Sequence, residues 1–191
     1  GRLVRGAREA AGEVGHIVMQ VDGPLCGCGN RGCLEALASR WAIERDIREA
    51  IAAGRESAVA ELLGKEGRSI KSKALKRALK RKDPVVTEIM ERAAEVLGHA
   101  CLTVRHLLDP EVIVLGGGVI EACGKFVMPI VHRIVSGDAL KGAKAPGRPA
   151  GCRVVRSELG DDAVVLGAVA LARQATGDAG ATTPPKPPRS T

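Results

Sequence analysis

His16 stands ahead of three clustered cysteines, Cys26, Cys28 and Cys33, in the stretch GEVGHIVMQVDGPLCGCGNRGCLE that runs from Gly12 to Glu35. One imidazole nitrogen and three thiolates make a Cys3His donor set, a common shell for tetrahedral structural zinc. Gly27, Gly29 and Gly32 lie between the cysteines and let the backbone turn tightly enough for neighbouring thiolates to converge on one ion. A closed shell of four protein ligands leaves no position for a metal-activated water, so the implied role is structural rather than hydrolytic. Two carboxylates, Glu13 and Glu35, bracket the knot, and a metal that fixes the loop would also fix them. The alternative is an isolated zinc ribbon with nothing further to bind, or four residues that never meet.

GEVGH followed by CGCGNRGCLE resembles the signature of the ROK family, which groups repressors, sugar kinases and uncharacterised reading frames. The resemblance implies zinc on His16, Cys26, Cys28 and Cys33. It also implies sugar hydroxyls on Glu13, His16 and Glu35, so that His16 serves both. For the complete protein it implies Mg-ATP as phosphoryl donor, a hexose or amino-hexose as acceptor, a homodimer or homotetramer, and a cytoplasmic location. The fold it implies is a helix-rich α/β lobe of the actin-like ATPase (ribonuclease H-like) type, carrying a zinc-binding loop. The match runs over nearly all of residues 1–176 but corresponds to the second part of a family member. The N-terminal lobe, with its acidic DxGGT-type loop and the Asp that acts as general base, is expected to be missing from these 191 residues. No catalytic residue is therefore expected in the chain. Three readings follow: part of a glucokinase-like, ATP-dependent hexose kinase; part of a sugar-responsive transcriptional repressor, the one case involving nucleic acid; or a truncated, non-catalytic binding module.

The remaining elements must hold this knot. Leu3–Gly12 reads as the end of a strand or hairpin, and Val14–Val21 alternates well enough for a strand. Asp22-Gly23-Pro24 breaks it. From Leu34 a helix is predicted, with Leu37, Trp41, Ile47 and Ile51 inward and Gly54 as its C-terminal cap. Ser57 caps a short helix through Leu63. Ser72–Arg81 reads as a basic amphipathic helix with Ala74, Leu75, Ala78 and Leu79 inward; its cations could bind phosphate or acidic lipid, but such faces are usually hydrated. Asp83-Pro84 marks a helix start, and that helix should run to about Leu108 with Val86, Ile89, Ala93, Val96, Leu97, Ala100, Val104 and Leu107 buried. His99 and His106 on it read as structural or surface residues.

Glu111–Leu115 (EVIVL) reads as a short buried strand running into Gly116-Gly117-Gly118. Strand, glycine turn and helix form the ligand crevice of open α/β sheets, although a tight turn alone accounts for the glycines too. DPEVIVLGGGVI also resembles the ROK segment near the adenosine of ATP, which implies nucleotide contact at Gly116, Gly117 and Gly118. A helix is predicted from about Lys125 to Val135 with Pro129 as a kink or break, then a Gly137–Gly151 loop, a strand at Arg153–Arg156, and a helix opened by Asp161 or Asp162. The expected organisation is thus a zinc knot (12–35), a helical region (36–108), a nucleotide-side α/β part (109–176) and a disordered Pro-rich tail (177–191).

Composition agrees. With 45% hydrophobic residues the chain can bury a core, and with Trp41 and Phe126 as its two aromatics that core must be aliphatic. The scarcity of aromatics argues against single-stranded nucleic-acid binding, which needs stacking platforms. Six cysteines, three of them within eight residues, suit metal ligation in a reducing compartment rather than a disulfide framework. Cys101 and Cys123 sit in apolar runs as buried thiols. The net charge of +7 raises nucleic acid as a partner, but the basic helix is read as a solvated face. No run is long enough to span a bilayer, and no signal peptide opens the sequence.

Overall fold

The computed structural model describes residues 3–63, 69–140 and 151–176. The expected tail (177–191) and most of the Gly137–Gly151 loop lie outside the described residues. The described elements are α1 (Leu34–Ala38), α2 (Arg40–Ala52), α3 (Ala60–Leu63), α4 (Ser72–Lys80), α5 (Pro84–Leu108), β1 (Val112–Leu115), α6 (Gly118–Ser136), β2 (Arg153–Arg156) and α7 (Ala163–Thr176).

Helix α5 is the spine. Its 25 residues span about 37 Å at 1.5 Å per residue. It starts where the sequence places it: Pro84 occupies the first turn, and the Asp83 carboxylate accepts from the Val86 N–H at 2.9 Å. That buried carboxylate also accepts from the Ala58 N–H at 2.6 Å and the Ser57 hydroxyl at 3.0 Å, so one cap also anchors the chain entering α3. Helix α6 packs along α5, and α1, α2 and α4 close around the pair. The core is aliphatic throughout: Ile43 and Ile47 from α2, Leu75 and Ala78 from α4, Ile89 and Met90 from α5, Val127 and Val131 from α6. Each of the Ile, Leu, Val and Met side chains contributes about 1.5–3 kcal/mol on full burial. Where α5 and α6 touch, a Cβ at Gly98 would meet Ile134 Cδ1 at 2.7 Å, so the close approach depends on glycine.

Strands β1 and β2 pair in parallel, Val112 with Arg153 through Leu115 with Arg156, and α6 lies between them in the chain. A parallel pair needs such a crossover. The strand expected at 111–115 is present but not buried: Val114 is 57% exposed, because the described sheet has two strands and α6 covers one face. Helix α6 starts at Gly118, earlier than the expected Lys125, because Gly117 (φ +93°) turns the chain directly from β1 into the helix; Pro129 sits inside it without ending it.

Four other expectations are corrected. Leu3–Gly12 forms no strand; its chain folds on itself, with the Ala11 N–H donating to Arg5 O at 3.0 Å. Val14–Val21 is not a strand either: Val14–His16 forms a 3-10 turn, and beyond it only Val18 makes a bridge, to Cys33. The helix from Leu34 is two helices, broken at Ser39, whose hydroxyl accepts from the Ala42 N–H. The break shifts the helical phase, leaving Trp41 42% exposed while Ile43 and Ile47 are buried. On α5 the buried positions end at Cys101, and Leu107 is exposed on the last turn. Cys101 and Cys123 are buried as expected. Helix α7 forms as read but has no buried residue. No described helix is long and apolar enough to cross a membrane.

Candidate functional site

The knot is assembled by backbone hydrogen bonds between segments that are not strands. The Met19 and Gln20 N–H groups both donate to Gly32 O, at 2.8 and 3.2 Å, and the Gly32 N–H donates to Pro24 O at 2.8 Å. Gly32 has φ +71°, and a Cβ there would lie 1.6 Å from Gln20 O, so no other residue fits this crossing. A tight turn follows, in which the Cys26 N–H donates to Asn30 O and the Gly29 N–H to Cys26 O. The Leu34 N–H donates to Ile17 O at 2.9 Å and fastens the first turn of α1 to the 3-10 turn.

These ties bring the four sequence-predicted ligands together. The donor atoms of His16, Cys26, Cys28 and Cys33 all lie within 4.8 Å of one another. Cys28 Sγ is 3.7 Å from Cys33 Sγ, and Cys26 Sγ is 3.7 Å from His16 Nδ1. A disulfide needs about 2.05 Å, so these thiols are free. A tetrahedral zinc with bonds of about 2.3 Å to sulfur holds its sulfurs about 3.8 Å apart, so the donor set fits that ion. Electrostatics agrees with the geometry. Burial pushes the Cys33 thiol up to about 12, with the Cys28 and Cys26 thiols adding to it, whereas a hydrogen bond from the Asn30 backbone holds Cys28 below its usual range. Converging thiols that resist joint ionisation are what a divalent cation would relieve.

The two carboxylates stand on the same assembly. His16 turns Nδ1 toward Cys26, and its Nε2 lies 3.9 Å from Glu13 Oε2. Glu35, on the first turn of α1, places Oε2 3.6 Å from where a Cβ on Gly15 would sit. Glu13 thus lies beside His16, and Glu35 lies beside the turn that carries them.

Gly116, Gly117 and Gly118 lie elsewhere, just after β1, where they help line a cavity of about 330 Å3. Ile43, Met90, Leu97 and Val119 line it, and its polar side chains are Ser39 and Arg40. Arg40 donates to Ile70 O at 2.6 Å and, at longer range, to the Ser69 and Ser72 hydroxyls, tying this junction to the start of α4. Neither Ser39 nor Arg40 stands out in the sequence analysis. The signal was a serine inside a helical pattern, readable as an internal cap.

Comparison with known proteins agrees with the fold and the motif. The model of the ROK family matches residues 1–175. The chain is 33% identical over 177 residues to a glucokinase of Thermotoga maritima, covering 93% of this chain and 54% of that protein. It is 32% identical over 175 residues to the DNA-binding transcriptional dual regulator NagC of Escherichia coli, covering 92% and 40%. The structure superposes on a ROK family glucokinase from Streptomyces griseus, in complex with glucose and AMPPNP, with a TM-score of 0.72 at 31% identity, covering 91% and 55%. The chain thus spans about half the length of the curated relatives it matches. A family match over almost its whole length, on the same helix-rich α/β fold, makes this chain a member of the ROK family.

Proposed function

We propose that this chain is the sugar- and zinc-binding part of an ATP-dependent, glucokinase-like hexose kinase. His16, Cys26, Cys28 and Cys33 hold the zinc. Glu13, His16 and Glu35 hold the sugar, and the cavity at Gly116–Gly118 takes the nucleotide. The observation that carries this reading is the placement of His16, with Nδ1 among the thiolates and Nε2 beside the Glu13 carboxylate. Zinc supplies rigidity: it fixes the ring and so aims the second nitrogen. Glu13 and Glu35 accept hydrogen bonds from sugar hydroxyls, orienting the attacking oxygen, and orientation with charge stabilisation is most of what phosphoryl transfer requires of a protein. ATP supplies the phosphoryl group, and Glu13, His16 and Glu35 orient the sugar rather than act as its general base.

A sugar-responsive repressor is the second reading, favoured by near-equal identity to the glucokinase and to the NagC regulator. Both use the same sugar site, so one experiment addresses it. In the complete protein, Glu35→Gln retains the metal and the melting temperature, because Glu35 is outside the ligand set. Sugar binding weakens by about one to two decades, since a charged acceptor is worth roughly 1.5–3 kcal/mol. Calorimetry with glucose alongside elemental analysis for zinc gives both readouts. Unchanged sugar affinity would remove Glu35 from the site, and folded protein without zinc would remove the metal.

A further inference from the structure

The residues from Lys71 to Lys82 (KSKALKRALKRK) contain seven cations and no acid. The other 22 Lys and Arg balance the 22 Asp and Glu, so the entire formal charge of +7 resides in this one segment. The structure adds how it is presented. Lys71, Lys73, Lys76, Arg77, Lys80, Arg81 and Lys82 are all exposed, and none forms an ion pair among the described residues. Elsewhere Arg5, Arg45, Arg55, Arg92, Arg105 and Arg133 each have a carboxylate partner. On α4, Leu75 and Ala78 are buried, and helical spacing puts Lys73, Lys76, Arg77 and Lys80 directly opposite them. Glu61 lines the shallow cavity beside Arg77 and Arg81 without pairing with either. Cations three and four residues apart repel, and no acidic residue occupies the first turn. No carboxylate among the described residues pairs with these cations to relieve that repulsion.

We infer that the outer face of α4 is a binding surface for the phosphate backbone of a nucleic-acid duplex. A line of cations along one helix meets a line of phosphates, and each contact releases condensed counterions. Single strands are disfavoured because α4 offers no aromatic for a base to stack on. A membrane surface is disfavoured because the apolar side chains of α4 are turned into the core, leaving nothing to insert between lipids. Contacts to phosphate carry no sequence information, so binding is independent of base sequence. This inference is independent of the sugar site.

The test is fluorescence anisotropy of a labelled random-sequence DNA duplex with the full chain. If four of the cations reach phosphates, affinity falls roughly 100-fold between about 50 and 200 mM salt, at a slope of about −0.9 per contact. A triple variant, Lys73→Glu, Lys76→Glu and Lys80→Glu, abolishes binding, and the milder Lys→Gln triple at the same positions reduces it. A control of equal charge change on other elements, Arg8→Glu, Lys125→Glu and Arg173→Glu, retains most of it; all three are exposed. Melting curves establish that each variant is folded, and if the Glu triple does not fold, the Gln triple carries the comparison. Absence of binding at low salt overturns the inference. So does equal loss in the control, which would make net charge the cause, or binding to phosphatidylserine vesicles without binding to the duplex.

Discussion

Gly32 shows how one residue decides whether the knot closes. It adopts a left-handed conformation, and its missing Cβ leaves room for Gln20 O. Gly32→Ala should lose roughly 3 kcal/mol or more through backbone strain and steric overlap, because the overlapping atom is backbone and cannot swing away. The same shift parts Cys33 from Cys28, so zinc content falls together with the melting temperature. Elemental analysis and a thermal melt on one sample check this, and a normal melt with full metal content would show that the loop tolerates a wider crossing. Gly27, where a Cβ would meet nothing and the backbone is not left-handed, is the contrasting position.

At the scale of elements, the cap of α5 does more than start a helix. Asp83 holds Val86 N–H, Ala58 N–H and the Ser57 hydroxyl on one buried carboxylate. Losing a cap costs about 0.5–2 kcal/mol. Asp83→Ala also removes the charged acceptor of the exposed Ala58 N–H, and a hydrogen bond to a charged group is worth about 1.5–3 kcal/mol. The expected loss is therefore about 2–4 kcal/mol in urea unfolding, with Asp83→Asn milder because its amide oxygen still accepts. A loss of under 1 kcal/mol, the low end for a simple cap, would mean that α3 is not anchored through this residue.

For the molecule as a whole, the junction between the ends of α5 and α6 links stability to pH. Asp138 follows α6 and accepts from His106 Nε2 at 2.9 Å, with Arg105 3.2 Å away. The His106 hydrogen bond, supported by the Leu140 N–H and the Arg105 charge against the opposing effect of burial, holds the Asp138 carboxyl below its ordinary range. An unfolded aspartate titrates at about 3.9. A carboxylate depressed in the folded state stabilises it fully above that value, and the contribution is lost as pH falls through the folded value. Asp138→Asn should therefore melt lower than the parent at pH 7, with the gap narrowing below about pH 4. Acid release of any metal bound at the knot would affect both proteins and cancel in the difference. A gap that stays constant into strong acid would show that the Asp138 charge does not stabilise the fold.

Local chemistry was legible in the sequence wherever it depends on neighbours along the chain. The Cys3His set, the Asp83-Pro84 start and the basic amphipathic α4 all follow from residue type and spacing within a few turns. Features decided by distant partners were not legible. Val14–Val21 has strand-like alternation but lacks a strand to pair with, and is held instead by the Met19 and Gln20 N–H bonds to Gly32 O and the Leu34 N–H bond to Ile17 O. A strand exists only if its edge is occupied, and periodicity does not report the partner. Likewise Trp41 has apolar spacing, yet the break at Ser39 turns it outward, and only the packed structure shows that Ser39 and Arg40 face the Gly116–Gly118 cavity. His106 has Asp109 three residues on in sequence, yet pairs with the distant Asp138 because α6 runs back along α5. Residue chemistry and helix periodicity are local and survive in one dimension; edge occupancy, helix phase across a break and contacts between distant side chains are settled by close packing in three.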